Sequence, residues 1–273
     1  MPAMAASTSS QLSRTVAVAN QKGGVGKSTS TICLARAAHI AGHRTLVVDL
    51  DAQANTTSDL AAEPVPADTV TIADALVGDV ELADVVVPAI WERVMLAPAG
   101  ATLSVALDQL ASVVAREMRL RKLIKSVTTE YDLILIDCPP ALGLSTVNAL
   151  TAANDVILVA EPDAWSLDAV ADFAQTVADI REDLNPNLGT AGVLLNRYRR
   201  TAEATQVIDE LVAGLDAHLP GTPVWTDRTV PLWTDISKHV HAGRGLDEGP
   251  PRLRQLMERV YSPIVAELVG GSR

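Results

Sequence analysis

Two lysines, a run of glycines and three aspartates carry the chemistry legible in this sequence. The stretch Ala19-Asn20-Gln21-Lys22-Gly23-Gly24-Val25-Gly26-Lys27-Ser28-Thr29 follows an apolar strand-like run and opens a helical one. Its glycines let backbone N–H groups curl around phosphate oxygens with no Cβ in the way. The N-terminus of the following helix adds its dipole. Lys27 can reach β- and γ-phosphates, and the Ser28 hydroxyl can ligate Mg²⁺. The ordinary phosphate-loop spacing, G-x-x-x-x-G-K-[ST], asks for glycine where this chain has Gln21. The pattern that fits is K-G-G-x-G-K-[ST], which brings in a second lysine, Lys22, early in the loop.

The acids come next. In Thr45-Leu46-Val47-Val48-Asp49-Leu50-Asp51-Ala52-Gln53, two carboxylates end an apolar run at i and i+2, so both point the same way from a sheet edge. A further run, Leu133–Ile136, ends in Asp137-Cys138-Pro139-Pro140. An acid at that place suits Mg²⁺ held through water. A third run ends in Asn196-Arg197-Tyr198-Arg199. Related GTPases use N-K-x-D there, with the aspartate accepting from guanine. Arg199 has no acceptor to offer, which favours ATP over GTP.

These groups need a scaffold that brings strand ends together. Strand-like runs occur at Thr15–Ala19, Thr45–Val48, Val94–Ala97, Leu133–Ile136, Val156–Ala160 and Ala191–Leu195. Helical patterns cover Lys27–Ala41, Leu103–Val127, Leu167–Asp183 and Ala202–His218, with a last helix over Arg252–Val269. The alternation implies an α/β fold: a mostly parallel twisted sheet flanked by helices on both faces. Residues 61–68 and 243–251 read as Pro- or Gly-bearing loops, residues 1–13 as a flexible tail, and 14–270 as a single domain. The chain has 273 residues, 48% of them apolar, which suits one large α/β core. Only one Phe, three Tyr and four Trp are present, so that core rests on Val, Leu, Ile and Ala.

Net charge is −11. Residues 1–189 carry 12 Lys/Arg against 23 Asp/Glu, whereas 190–273 carry 10 of each. A polyanion is least repelled by the C-terminal third. No apolar run approaches the ~20 residues of a membrane span. Cys33 and Cys138 are too few for a disulfide framework or a one-chain Cys₄ site, and a reducing cytoplasm is the plain reading.

The two-lysine loop, D-x-D-x-Q at Asp49–Gln53 and D-x-P-P at Asp137–Pro140 resemble the ParA/MinD superfamily, and the ParA family within it, over about Arg14 to Val269. The resemblance implies a P-loop ATPase with a deviant Walker A motif, using ATP and Mg²⁺. Lys22, Gly23, Gly24, Val25, Gly26, Lys27, Ser28 and Thr29 would bind the nucleotide, with Lys22 crossing a sandwich dimer to the partner's phosphates. Asp51 would orient the attacking water. Asp49 would support the metal and lysine network, and Asp137 would hold the metal with Ser28. Asn196 becomes a candidate adenine contact, and the loop at Pro231 would close over the base. The family's behaviour further implies an ATP-dependent homodimer, nonspecific binding of double-stranded DNA and a ParB-like centromere-binding partner that stimulates hydrolysis. A cytoplasmic, nucleoid-associated place follows, with segregation of plasmid or chromosomal DNA as the task. Arg228, Lys238 and Arg244 are the expected DNA contacts. About 14 residues precede the first strand, so the helix-turn-helix module of some relatives is not expected.

Three other readings compete. The same machine could position a protein cargo such as a carboxysome, chemosensory cluster or pole. A MinD-like membrane ATPase needs a basic amphipathic C-terminal helix, but Glu258, Pro263 and Glu267 interrupt this one. An iron–sulfur relative would need cysteines in Gly-rich loops, a setting that neither Cys33 nor Cys138 has.

Overall fold

The computed structural model describes residues 13–78, 80–163 and 166–271, with backbone alone at 166–168. The expected tail over 1–13 lies, Ser13 apart, outside the described residues. The strands are β1 (Arg14–Ala19), β2 (Thr45–Asp49), β3 (Val87–Pro88), β4 (Val94–Ala97), β5 (Leu133–Asp137), β6 (Asp155–Ala160) and β7 (Gly189–Leu195). They form one sheet in the order β3-β4-β2-β5-β1-β6-β7. Every neighbouring pair is parallel except the edge pair β3–β4. All six strands expected from the sequence are present. The antiparallel edge strand was not expected, because two residues are too few to show a period.

The helices are α1 (Lys27–Ile40), α2 (Asn55–Leu60), α3 (Ile72–Val77), α4 (Leu82–Val85), α5 (Thr102–Leu110), α6 (Arg119–Val127), α7 (Leu144–Ala152), α8 (Ser166–Asp183), α9 (Ala202–His218), α10 (Thr234–His241), α11 (Pro251–Leu256) and α12 (Ser262–Gly270). They cover both faces of the sheet, as alternation along each strand requires. Ala17, Val48, Ile136, Leu158 and Leu195 join one core cluster with α3 and α5 to α9. Their chain neighbours Val18, Val47, Leu135, Ile157 and Leu194 join the other, with α1 and α10 to α12. Burying one such Val, Leu or Ile is worth roughly 1.5–3 kcal/mol, so the sheet is held from both sides.

The long helix expected over Leu103–Val127 is corrected to two, α5 and α6. Ala115 has φ 55°, in the left-handed region, and a 3₁₀ turn at Arg116–Met118 follows it. Tertiary hydrogen bonds replace helical ones at the break. Asn148 accepts from the Leu120 N–H at 3.0 Å and donates to the Arg116 carbonyl at 2.9 Å. Arg119 donates to the Leu76 carbonyl at the end of α3. The last helix is present but contains a π turn, Met257–Tyr261, between α11 and α12. Its apolar side, including Leu253, Tyr261, Ile264 and Val265, is buried against the α1 face of the sheet. Among the described residues no helix is long and apolar enough to cross a membrane.

Strand order reverses at β1, which lies between β5 and β6. Such a switch point opens a crevice beyond the carboxyl ends of the strands. The loop after β1, the acids ending β2 and β5, and Asn196 after β7 all lie at those ends.

Candidate nucleotide site

The loop from Asn20 to Gly26 is braced by two buried asparagines. Asn20 donates from Nδ2 to the Val159 carbonyl on β6 (2.7 Å) and accepts from the Lys22 N–H at 3.0 Å. Asn196 donates from Nδ2 to the Val25 carbonyl (2.6 Å), and its Oδ1 accepts from the Arg197 N–H at 2.8 Å. Gly24 and Gly26 have φ of 74° and 92°. A Cβ on Gly26 would collide with the Asn196 amide, so glycine is required there by conformation and by space. No side chain caps α1. A helix start left open in this way suits an anion.

The two lysines have different surroundings. Lys27 is 6% exposed and its Nζ donates to the Lys22 carbonyl at 3.1 Å. Burial lowers its pKa, against the opposing pull of Asp137, Cys138 and Asp51. Lys22 lies at the rim, with Nζ 2.6 Å from Asp163 and 4.0 Å from Glu161, both just past β6. Glu161 also lies 3.7 Å from Arg197.

Asp49 and Asp137 are register partners on β2 and β5, and both are fully buried. Asp49 accepts from the Thr57 N–H (2.9 Å), the Thr57 hydroxyl (2.7 Å) and the Asp51 N–H (3.0 Å). Asp137 accepts from the Thr56 hydroxyl at 2.6 Å, and the Ser28 hydroxyl lies nearby. Burial, then the Asp137 charge, pushes Asp49 up to about 7. Burial likewise raises Asp137 to about 6, although Thr56, Ser28 and Lys27 pull it down. Oδ1 of Asp137 is buried with no hydrogen-bond partner. An unpartnered buried carboxylate oxygen beside a serine hydroxyl fits a divalent cation completed by waters and phosphate. Asp49, with its oxygens engaged, is placed to support such an ion indirectly. Asp51 is half-buried, and its Oδ1 accepts from the Gln53 N–H at 3.0 Å.

A cleft of about 160 Å³ adjoins the loop, lined by Gly24, Gly26, Thr29, Asn196, Pro231 and Trp233 among others. The sequence separates Asn196 from Pro231 by 35 positions, and a short backbone zipper rejoins them. Val230 N–H donates to the Leu195 carbonyl at 2.8 Å, Tyr198 N–H to Val230 at 2.9 Å and Leu232 N–H to Tyr198 at 3.3 Å. Both residues expected at the base therefore line one cleft beside the phosphate loop.

Of the basic residues expected at a DNA face, Lys238 and Arg244 are exposed on and just after α10. Arg228 differs: its guanidinium lies 2.6 Å from Glu267 and 3.7 Å from Asp227. That pairing weighs against a phosphate contact at Arg228. Sequence reasoning missed Thr56, Thr57, Asn20, Asp163 and Trp233. The adjacent threonines opening α2, just past the paired acids, were the only local signal among these. The others act across long chain separations.

A family profile described as an AAA domain, AAA_31, matches residues 13–190. The sporulation initiation inhibitor protein Soj of Bacillus subtilis is 36% identical over 201 residues, 73% of this chain and 79% of that protein. The chromosome partitioning protein ParA of Myxococcus xanthus is 37% identical over 199 residues, 72% of this chain and 70% of that one. A solved structure described as cobyrinic acid a,c-diamide synthase from Mycobacterium smegmatis, with bound ATP analogue and magnesium, is 33% identical. It superposes with TM-score 0.73 over 85% of this chain and 90% of that one. On the two-lysine loop at the sheet's switch point, and on relatives identical at more than a third of the aligned positions, the chain belongs to the ParA family of P-loop proteins with the deviant Walker A motif.

Proposed function

We propose that residues 14–270 act as one Mg²⁺-dependent ATPase domain that dimerises on ATP and binds double-stranded DNA without sequence preference. It segregates plasmid or chromosomal DNA with a ParB-like partner that stimulates hydrolysis. The observation that carries this reading is the division of labour in one loop: Lys27 buried inside the cradle, Lys22 at its rim. A cation inside serves the chain's own phosphates, and one at the rim can serve a facing subunit's.

Lys27 and the loop N–H groups neutralise β- and γ-phosphate charge. Asp51 accepts a hydrogen bond from water and aims it at the γ-phosphorus. A P–O bond forms to that water as the bond to ADP breaks, leaving ADP and phosphate. Lys22 exchanges Asp163 for the partner's phosphates, adding positive charge where the transition state accumulates negative charge. Ser28 and Asp137 would hold Mg²⁺, which supplies further charge neutralisation between the phosphates.

The description of the M. smegmatis relative raises carboxylate amidation as a second reading. Glutamine-driven amidation needs a nucleophilic thiolate. Cys33 is buried with its thiol pushed up to about 12, and burial raises Cys138 as well. Neither cysteine supports that chemistry. A MinD-like membrane role is likewise disfavoured, because the apolar side of α11 and α12 is spent in the core.

Light scattering with and without ATP tests the proposal. The wild type should double its mass with ATP. Asp51→Ala should hold that dimer while turnover falls about 100-fold or more. Gly23→Val should bind ATP and stay monomeric: its Cβ would meet only Pro140, at 3.8 Å, so the substitution fits one subunit and obstructs two. A wild type that remains monomeric with ATP and Mg²⁺ would sink the proposal.

A further inference from the structure

Trp91 and Trp225 are buried, whereas Trp233 leaves 37% of its surface exposed. An exposed indole is ordinarily a mobile one, yet this ring is held. The zipper to β7 fixes its backbone, and the Trp233 backbone N–H donates to the Pro231 carbonyl at 2.8 Å. The Arg252 guanidinium lies over the ring, 5.3 Å from its centroid, and Arg252 is itself paired with Asp235. Trp233 and Pro231 also form a wall between two clefts. On one side lie Gly24, Gly26, Thr29 and Asn196 of the phosphate-loop cleft. On the other lie Arg252, Gln255 and Arg259.

We infer that Trp233 is the stacking platform for the nucleotide base, with the purine in the phosphate-loop cleft lying against the indole face turned away from Arg252. The inference rests on the proposed ATP site and adds the residue that sets base affinity. A ring already ordered by Arg252 loses little rotamer freedom when a base arrives, so more of the stacking appears as affinity. Stacking uses the π-face that every purine has, so it does not read the base's edge. Trp233 therefore strengthens ATP and GTP alike, leaving any choice between them to groups at the base edge such as Asn196.

Binding of ATP, GTP and base-free tripolyphosphate to wild type, Trp233→Ala and Trp233→Phe tests this. Trp233→Ala should bind ATP and GTP about tenfold more weakly. Tripolyphosphate should bind all three proteins equally, and Trp233→Phe should recover most of the loss. Wild-type tryptophan emission should change with ATP, and that change should vanish in Trp233→Phe. If the wild type prefers ATP to tripolyphosphate and Trp233→Ala keeps that preference, the stacking inference is overturned and the base cleft stands. If the wild type has no such preference, the base cleft falls and the inference with it. If Trp233→Ala weakens tripolyphosphate as much as ATP, the loss is general damage to the site and the inference fails.

Discussion

At the phosphate end of the site, Asp49, Asp137 and Lys27 are all below a tenth exposed, and each is tied by hydrogen bonds to α2 or to the phosphate loop. At the base end, Pro231, Trp233 and Ser237 belong to a half-open segment after β7, tied back by a few backbone hydrogen bonds. The phosphate end holds charges where water does not reach, which costs folding energy that bound phosphate and metal can return. The base end holds apolar and π surface at little cost in the empty protein. Substitutions should therefore act through electrostatics at one end and through contact area or hydrogen bonds at the other.

The largest expected effect is at Lys27. Lys27→Ala should abolish measurable ATP binding in calorimetry, because it leaves Asp137 and Asp51 facing the phosphates without a cation. Retained wild-type affinity would remove the phosphate end from the comparison altogether.

Next is the cost of burying Asp49. Its folded pKa is raised from 3.8 to about 7, so the folded state holds a proton that the unfolded chain has released. That contribution to stability is full below the unfolded value and is lost as pH rises to about 7. Denaturant titrations of the nucleotide-free protein in chelator should lose roughly 2–3 kcal/mol of stability between about pH 5 and pH 8. Asp49→Asn should make that slope shallower, because one of the two paired buried acids no longer titrates. An unchanged slope would show that Asp49 is not the buried charge that matters.

Asn196 joins the two ends, since it braces the loop and lines the base cleft. Asn196→Ala leaves the buried Val25 carbonyl without its donor, which should cost about 1–3 kcal/mol of stability by denaturation. ATP affinity should fall with it. A stability loss with intact ATP affinity would make Asn196 a brace and nothing more.

The smallest effect concerns the exposed charges. Lys238→Glu with Arg244→Glu should leave ATP binding and dimerisation as they were. A gel shift on random-sequence duplex should lose the ATP-dependent complex at low salt and at moderate salt, following counterion release. Adding Arg228→Glu should change retention little further, given its pairing with Glu267. Equal retention by wild type and double variant would move the DNA face elsewhere on the dimer.

Most of the phosphate end was legible because each part is local. Lys22 to Thr29 form one turn, Asp49 ends one strand with Asp51 two residues on, and Asp137 ends another, so residue type and spacing are the whole signal. The six parallel strands were legible for the same reason, as apolar runs of four or five residues. What failed was decided by partners far along the chain. The break between α5 and α6 is paid for by Asn148, and nothing within 103–127 announces it.

The sequence by itself determined the loop, the acids and the alternation that folds them onto one sheet edge, because backbone sterics and hydrophobic period act over a few residues. Only the tertiary structure decided which neighbours those groups meet. It set Lys22 against Asp163, Asp49 on Thr57, Asn196 under Gly26, Arg228 on Glu267 and Trp233 beside the phosphate loop. Hydrogen bonds, ion pairs and ring contacts act over a few ångströms, and folding alone brings residues eight to more than a hundred positions apart within that range.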